Sequence, residues 1–154
     1  MLRRAVRFAI LLAIAWCVMT FTHEAGHILV GWACGGRLVH AELAPWQLPH
    51  SHFDPDPKPL VTLWGGPILG ILIPLSLASL LRYSVAGFVA TFCLLANGSY
   101  LALAWITGDR HLDTARLLEH GSSPVLIGLY CLLTIVPGYI GFRRHCARLL
   151  TVRQ

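Results

Sequence analysis

The chain has 154 residues, of which 56% are hydrophobic and 12% charged, with a formal net charge of +5. The charged share is about half the roughly 25% usual for soluble domains, which excludes a water-surrounded core and points to a single membrane-embedded domain. The positive balance does not read as a nucleic-acid surface, because most of the arginines stand at the ends of apolar runs, where they orient a chain in a bilayer.

Four apolar segments, 8–34, 60–81, 83–106 and 125–142, each lie near the ~20 residues that a spanning helix requires. The expected fold class is therefore an all-α integral membrane protein, with a short strand-like or extended segment between the first and second spans. A cleaved signal peptide also fits Arg3, Arg4 and Arg7 ahead of an apolar stretch, but cleavage would remove or strand the histidines of the first span. With the N-terminus cytoplasmic, Arg3, Arg4, Arg7, Arg82, Arg143, Arg144, Arg148 and Arg153 fall inside, and Arg37, Lys58, Arg110 and Arg116 outside. That asymmetry places both ends in the cytoplasm, and the chain reads as an integral protein of a bacterial cytoplasmic membrane. Trp32, Trp46, Trp64 and Trp105 lie near the ends of spans, as interfacial anchors do. Cys17, Cys34, Cys93, Cys131 and Cys146 are scattered without a C-x-x-C spacing and read as small reduced residues.

The first span carries His23-Glu24-Ala25-Gly26-His27 slightly past its middle. Ionisable side chains are expensive inside a bilayer, so the cluster needs a reason. In a helix, positions four apart are rotated by only about 40°, which puts both imidazoles on one face, one turn apart. This is the H-E-x-x-H geometry of two zinc ligands, with Glu24 close enough to take a proton from water without ligating the metal. The reading is a metal-dependent hydrolase working within or at the edge of a bilayer.

Between the first two spans, in 35–59, residues 38–43 suggest a short strand or hairpin, and Pro49, Pro55, Pro57 and Pro59 an extended loop. His50-Ser51-His52 with Asp54 and Asp56 is a weaker metal pattern, read as a solvated loop. The third span contains one amide, Asn97, a candidate for bonding substrate or a ligand and equally for joining helices. A catalytic zinc typically has three protein ligands. His111 and His120 are available donors, but the segment 108–118 offers two carboxylates, Asp109 and Asp113. Asp113 precedes a helical-looking Ala115-Arg116-Leu117-Leu118 run, so its carboxylate either caps that helix or turns inward to complete the site.

At this point the chain resembles a known family. Thr22-His23-Glu24-Ala25-Gly26-His27, with Ile28-Leu29-Val30 and Cys34-Gly35 after it, is similar to the first core helix of the site-2 protease family of intramembrane zinc metalloproteases. Gly65-Gly66-Pro67-Ile68-Leu69-Gly70 resembles that family's A-G-P-x-x-N element, and Leu112-Asp113-Thr114-Ala115-Arg116-Leu117-Leu118 its L-D-G-G-R-x-L element. All three occur in order and span 8–118, leaving 125–142 as a supporting helix. The resemblance implies a three-helix catalytic core, one zinc ion on His23, His27 and Asp113, Glu24 as general base, and a strand-like segment after the first helix that pairs with an extended substrate. The substrate implied is a membrane-associated protein or peptide. Thr114 replaces the usual glycine and the N-x-x-P sequence before the aspartate is missing, which keeps Asp109 as the alternative third ligand.

Three other readings use the same residues. A metal-binding membrane protein without proteolytic activity would not need a carboxylate beside its ligands, so Glu24 argues for chemistry. An iron-dependent histidine-box oxidase would carry several such boxes, and this chain has one. Neutral packing of His23 and His27 in a bundle leaves three ionisable groups in one turn of a spanning helix without purpose.

Overall fold

The computed structural model describes residues 2–150. In chain order the elements are α1 (Leu2–Ala33), β1 (Leu38–Glu42), β2 (His50–Phe53), α2 (Pro59–Leu81), α3 (Ser84–Thr107), α4 (Asp113–Glu119) and α5 (Pro124–Leu150). Helices α1, α2, α3 and α5 are long and apolar enough to cross a membrane. Ile10, Phe21 and Leu29 on α1 and Leu126, Leu129, Leu132 and Leu133 on α5 stand exposed, which is unfavourable against water and favourable against lipid.

The four spans fall where hydropathy places them, but two helices run further. The first starts at Leu2 rather than at residue 8, and α5 continues past Phe142 through Arg143, Arg144 and Arg148. Hydropathy marks where a chain leaves the hydrocarbon; arginine, alanine and leucine are good helix formers, so the backbone coils on. Arg153 lies outside the described residues. Pro59 opens α2 at a position where its missing N–H costs nothing. The turn from α2 to α3 is short because Arg82 takes the left-handed conformation, φ 54°, and its N–H closes on Ala78.

The segment after α1 is a true hairpin. β1 and β2 pair antiparallel, with His40 opposite His52, Ala41 opposite Ser51 and Glu42 opposite His50. The second strand occupies residues expected to be loop: Pro49 and Pro55 flank it without interrupting it, and Phe53 buries its ring against Gly31 and Gly36. Trp16 of α1 donates its indole N–H to the Pro45 carbonyl, 2.9 Å, which ties the hairpin loop down.

Helix α1 lies chiefly against α2, and α3 against α5, with α3 also touching α1 and α2. Where α1 crosses α2, Gly26 faces Gly65: a Cβ on Gly26 would strike the Gly65 carbonyl. Small residues at such a crossing let two backbones approach closely, and here the crossing falls inside the His-Glu motif. An apolar cluster, Leu63, Leu101, Leu117, Ile127 and Cys131, draws α2, α3, α4 and α5 together. Trp64 packs on Tyr130 at 5.5 Å and bonds Ser122 through its indole N–H.

Candidate metal centre

The structure brings His23, His27 and Asp113 together. His23 and His27 sit one turn apart on α1, ring centroids 4.9 Å apart, and each is about 5% exposed. Each ring is held from behind. His23 Nδ1 stands 2.6 Å from Asn97 Oδ1. The orientation of that amide is fixed, because its nitrogen donates to the carbonyls of Cys93 at 2.9 Å and Gly70 at 3.3 Å. Asn97 Oδ1 can therefore only accept, and His23 Nδ1 must carry the proton. His27 Nδ1 stands 2.9 Å from the Thr62 carbonyl. The Gly66 N–H also approaches this nitrogen, at 3.3 Å, but the shorter contact is to an oxygen that cannot donate, so the proton belongs on Nδ1 here as well.

With both Nδ1 atoms donating, both Nε2 lone pairs turn the same way. They meet at 3.2 Å, and Asp113 Oδ2 lies 2.8 Å from His23 Nε2 and 3.4 Å from His27 Nε2. Whatever occupies the centre of that triangle must be positive. Around a tetrahedral zinc at 2.0–2.1 Å, ligand atoms stand about 3.3 Å apart, close to the three edges found here. Two neutral imidazoles and a carboxylate are a catalytic zinc donor set, and the acceptors behind both rings are the outer partners that such histidines require. The donors present fit a divalent ion.

Asp113 reaches the site through α4. It is the first residue of that helix, preceded by Leu112 in extended conformation, and Leu112 makes no side-chain cap. The Asp113 carboxylate is therefore spent on the histidines rather than on capping. The unexpected Thr114 explains itself: it is fully buried and its hydroxyl donates to the Leu101 carbonyl at 2.8 Å, fastening the first turn of α4 to α3. Leu117, also fully buried, anchors the next turn.

Glu24 shares the pocket. The donor atoms of His23, Glu24 and His27 all lie within 4.8 Å of one another. Glu24 is 5% exposed, and its Oε2 has no hydrogen-bond partner in the protein. A buried carboxylate oxygen with an unused lone pair is costly unless something else occupies it. It lines a cavity of about 270 Å³ together with His27, Asp113, Tyr100 and the β2 segment, where Ser51 lies beside the carboxylate. The hairpin thus forms one wall of the chamber.

The other candidates lie elsewhere. Asp109 is exposed and accepts the backbone N–H of His111 at 2.9 Å, so it stabilises its own loop and takes no part in the triangle. His111 and His120 line the cavity but are exposed and do not join the three donors. Asn97, a candidate for bonding substrate or a ligand and equally for joining helices, is fully buried with its oxygen and nitrogen committed to His23, Cys93 and Gly70. The His50, His52, Asp54 and Asp56 pattern does not assemble: Asp56 Oδ1 accepts from Thr62 Oγ1 and the Lys58 N–H, and His50 lies against His40. Sequence reasoning missed Thr62, which acts through its backbone carbonyl and leaves no side-chain signal. It singled out Gly66 within the Gly-Pro element but not its role: a Cβ there would run into the His27 ring. Comparison of the chain with protein-family models, with curated proteins and with solved structures found no match to any of them.

Proposed function

We propose that the protein is a zinc-dependent endopeptidase acting on membrane-associated protein or peptide substrates within or at the edge of the bilayer. The observation that carries this reading is the convergence of His23 Nε2, His27 Nε2 and Asp113 Oδ2 at 2.8–3.4 Å, both rings locked from behind, beside a buried Glu24 oxygen without a partner. The order of the three elements that resemble the site-2 protease family supports the same reaction class, as does a hairpin after the first helix.

A zinc ion on His23, His27 and Asp113 would supply a Lewis acid that polarises the scissile carbonyl and brings the pKa of its water toward 7. Glu24 would act as general base and then general acid, taking up one proton from water and giving it to the leaving amine, so its carboxylate must gain and release one proton per turnover. Asn97 and Thr62 keep the imidazoles aligned throughout. The cavity wall formed by residues 48–53 offers strand edges to an extended peptide. A helical substrate hides its amides in internal hydrogen bonds and must unwind before cleavage. The arginine asymmetry supports cytoplasmic termini, with Arg3, Arg4, Arg7 and Arg82 on that side.

The reading is tested with Glu24→Gln. The variant is expected to keep bound zinc at wild-type stoichiometry while cleavage of a detergent-solubilised protein substrate falls by at least about a thousandfold. Wild-type cleavage rates in the zinc-loaded variant would remove the general-base role.

A further inference from the structure

The metal chamber does not end at the metal. A second cavity, of about 520 Å³, continues from it and shares Leu48, His50, Ser51, His52, His111 and Arg116 with it. Its lining also includes His40 and Arg110, so it holds two arginines and four histidines and no carboxylate. Arg116 stands where the two spaces join. It lies three residues beyond Asp113 on α4, on the same helical face, and is half-buried. Among the described residues no carboxylate comes within 4.0 Å of its guanidinium. Five N–H donors partly withdrawn from water need acceptors.

The acidic groups nearby are committed. Asp113 faces the histidines, Glu24 faces the reacting centre, and Asp56 holds Thr62 and the Lys58 N–H. With a divalent ion bound, Asp113 and Glu24 are neutralised, which leaves Arg116 as an uncompensated cation beside the bond to be cut. We infer that Arg116 and the histidine-lined space beyond it form a substrate subsite for a carboxylate, so that the protein selects peptides with acidic residues next to the scissile bond. This rests on the peptidase reading above and names its substrate class. A peptide carboxylate is favoured over an anionic lipid headgroup because the space is continuous with the metal chamber: an occupant of one extends into the other. The planar guanidinium suits a carboxylate bidentately, and the imidazole N–H groups supply further donors along the wall.

The test measures binding of two short peptide hydroxamates to the zinc-loaded full chain by calorimetry in neutral detergent. They differ only in carrying Glu or Gln at the two positions next to the metal-binding group. The Glu peptide is expected to bind about tenfold more tightly or better, as one charge-assisted contact predicts. In Arg116→Gln that preference is expected to shrink to about twofold or less, with affinity for the Gln peptide and zinc content unchanged; Arg116→Lys, which keeps the charge but loses the fork, should retain part of it. Equal binding of both peptides by the wild type, or a preference that survives Arg116→Gln, overturns the subsite while leaving the metal centre intact. Failure of both peptides to bind the zinc-loaded wild type overturns the peptidase reading, and the subsite with it. Loss of the Glu preference on adding phosphatidylglycerol, but not phosphatidylcholine, assigns the space to lipid headgroups and also overturns the proposal.

Discussion

Gly66→Ala tests whether helix crossing and metal binding are one structural fact. A Cβ at residue 66 would lie 2.5 Å from His27 Cε1 and 2.6 Å from Cδ2, and would strike Nε2 as well. Ordinary carbon contacts begin near 3.5 Å, so the ring has to retreat by about 1 Å. It cannot retreat freely, because Nδ1 is held 2.9 Å from the Thr62 carbonyl on the same helix as residue 66. Zinc ligands tolerate displacements of only about 0.2 Å. The expected result is a loss of zinc affinity of about a hundredfold or more, measured by chelator competition in detergent. Helicity should persist, since alanine is favoured over glycine by up to about 1 kcal/mol in a helix interior. Gly128→Ala is the control, because a Cβ there would meet nothing nearer than the Trp105 ring at 3.9 Å. Zinc affinity within a few-fold of wild type in Gly66→Ala would refute the view that this glycine makes room for the ligand.

Two further outcomes follow from the same geometry. Asn97→Ala removes the acceptor behind His23 and frees the tautomer; zinc affinity should fall about 10- to 100-fold by chelator competition, and Asn97→Asp, which restores an acceptor, should recover most of it. Asp113→Ala should abolish stoichiometric zinc on metal analysis after dialysis, whereas Asp109→Ala should retain it, because Asp109 serves only its exposed turn.

Much of the architecture was legible in the sequence because it follows from bilayer physics. Four apolar runs of suitable length can satisfy their backbones in hydrocarbon as helices, and those helices are present. The H-E-x-x-H spacing fixed the common face of His23 and His27 through helix geometry alone. The choice between Asp113 and Asp109 as the group facing the histidines was not legible, since either carboxylate lies within a few residues of the end of α3. What separates them is tertiary: Thr114 bonds α3 and Leu117 enters a four-helix cluster, and together these turn Asp113 inward. Asn97 was visible as an exceptional amide in a span, but its role depends on which neighbour lies opposite, and only the packed bundle supplies that. β2 was obscured by flanking prolines, whose effect stops at the residues they occupy. The span ends were displaced because hydropathy does not detect a helix that continues into water.

The central claim is a divalent ion held by three residues of this chain. X-ray absorption at the zinc edge on the purified wild-type protein, together with metal analysis, tests it most directly. The account predicts one zinc per chain with a first shell of two imidazole nitrogens and oxygen at about 2.0–2.2 Å. Protein that stays folded and metal-free after incubation with zinc, or zinc bound in a shell without histidine, would contradict it.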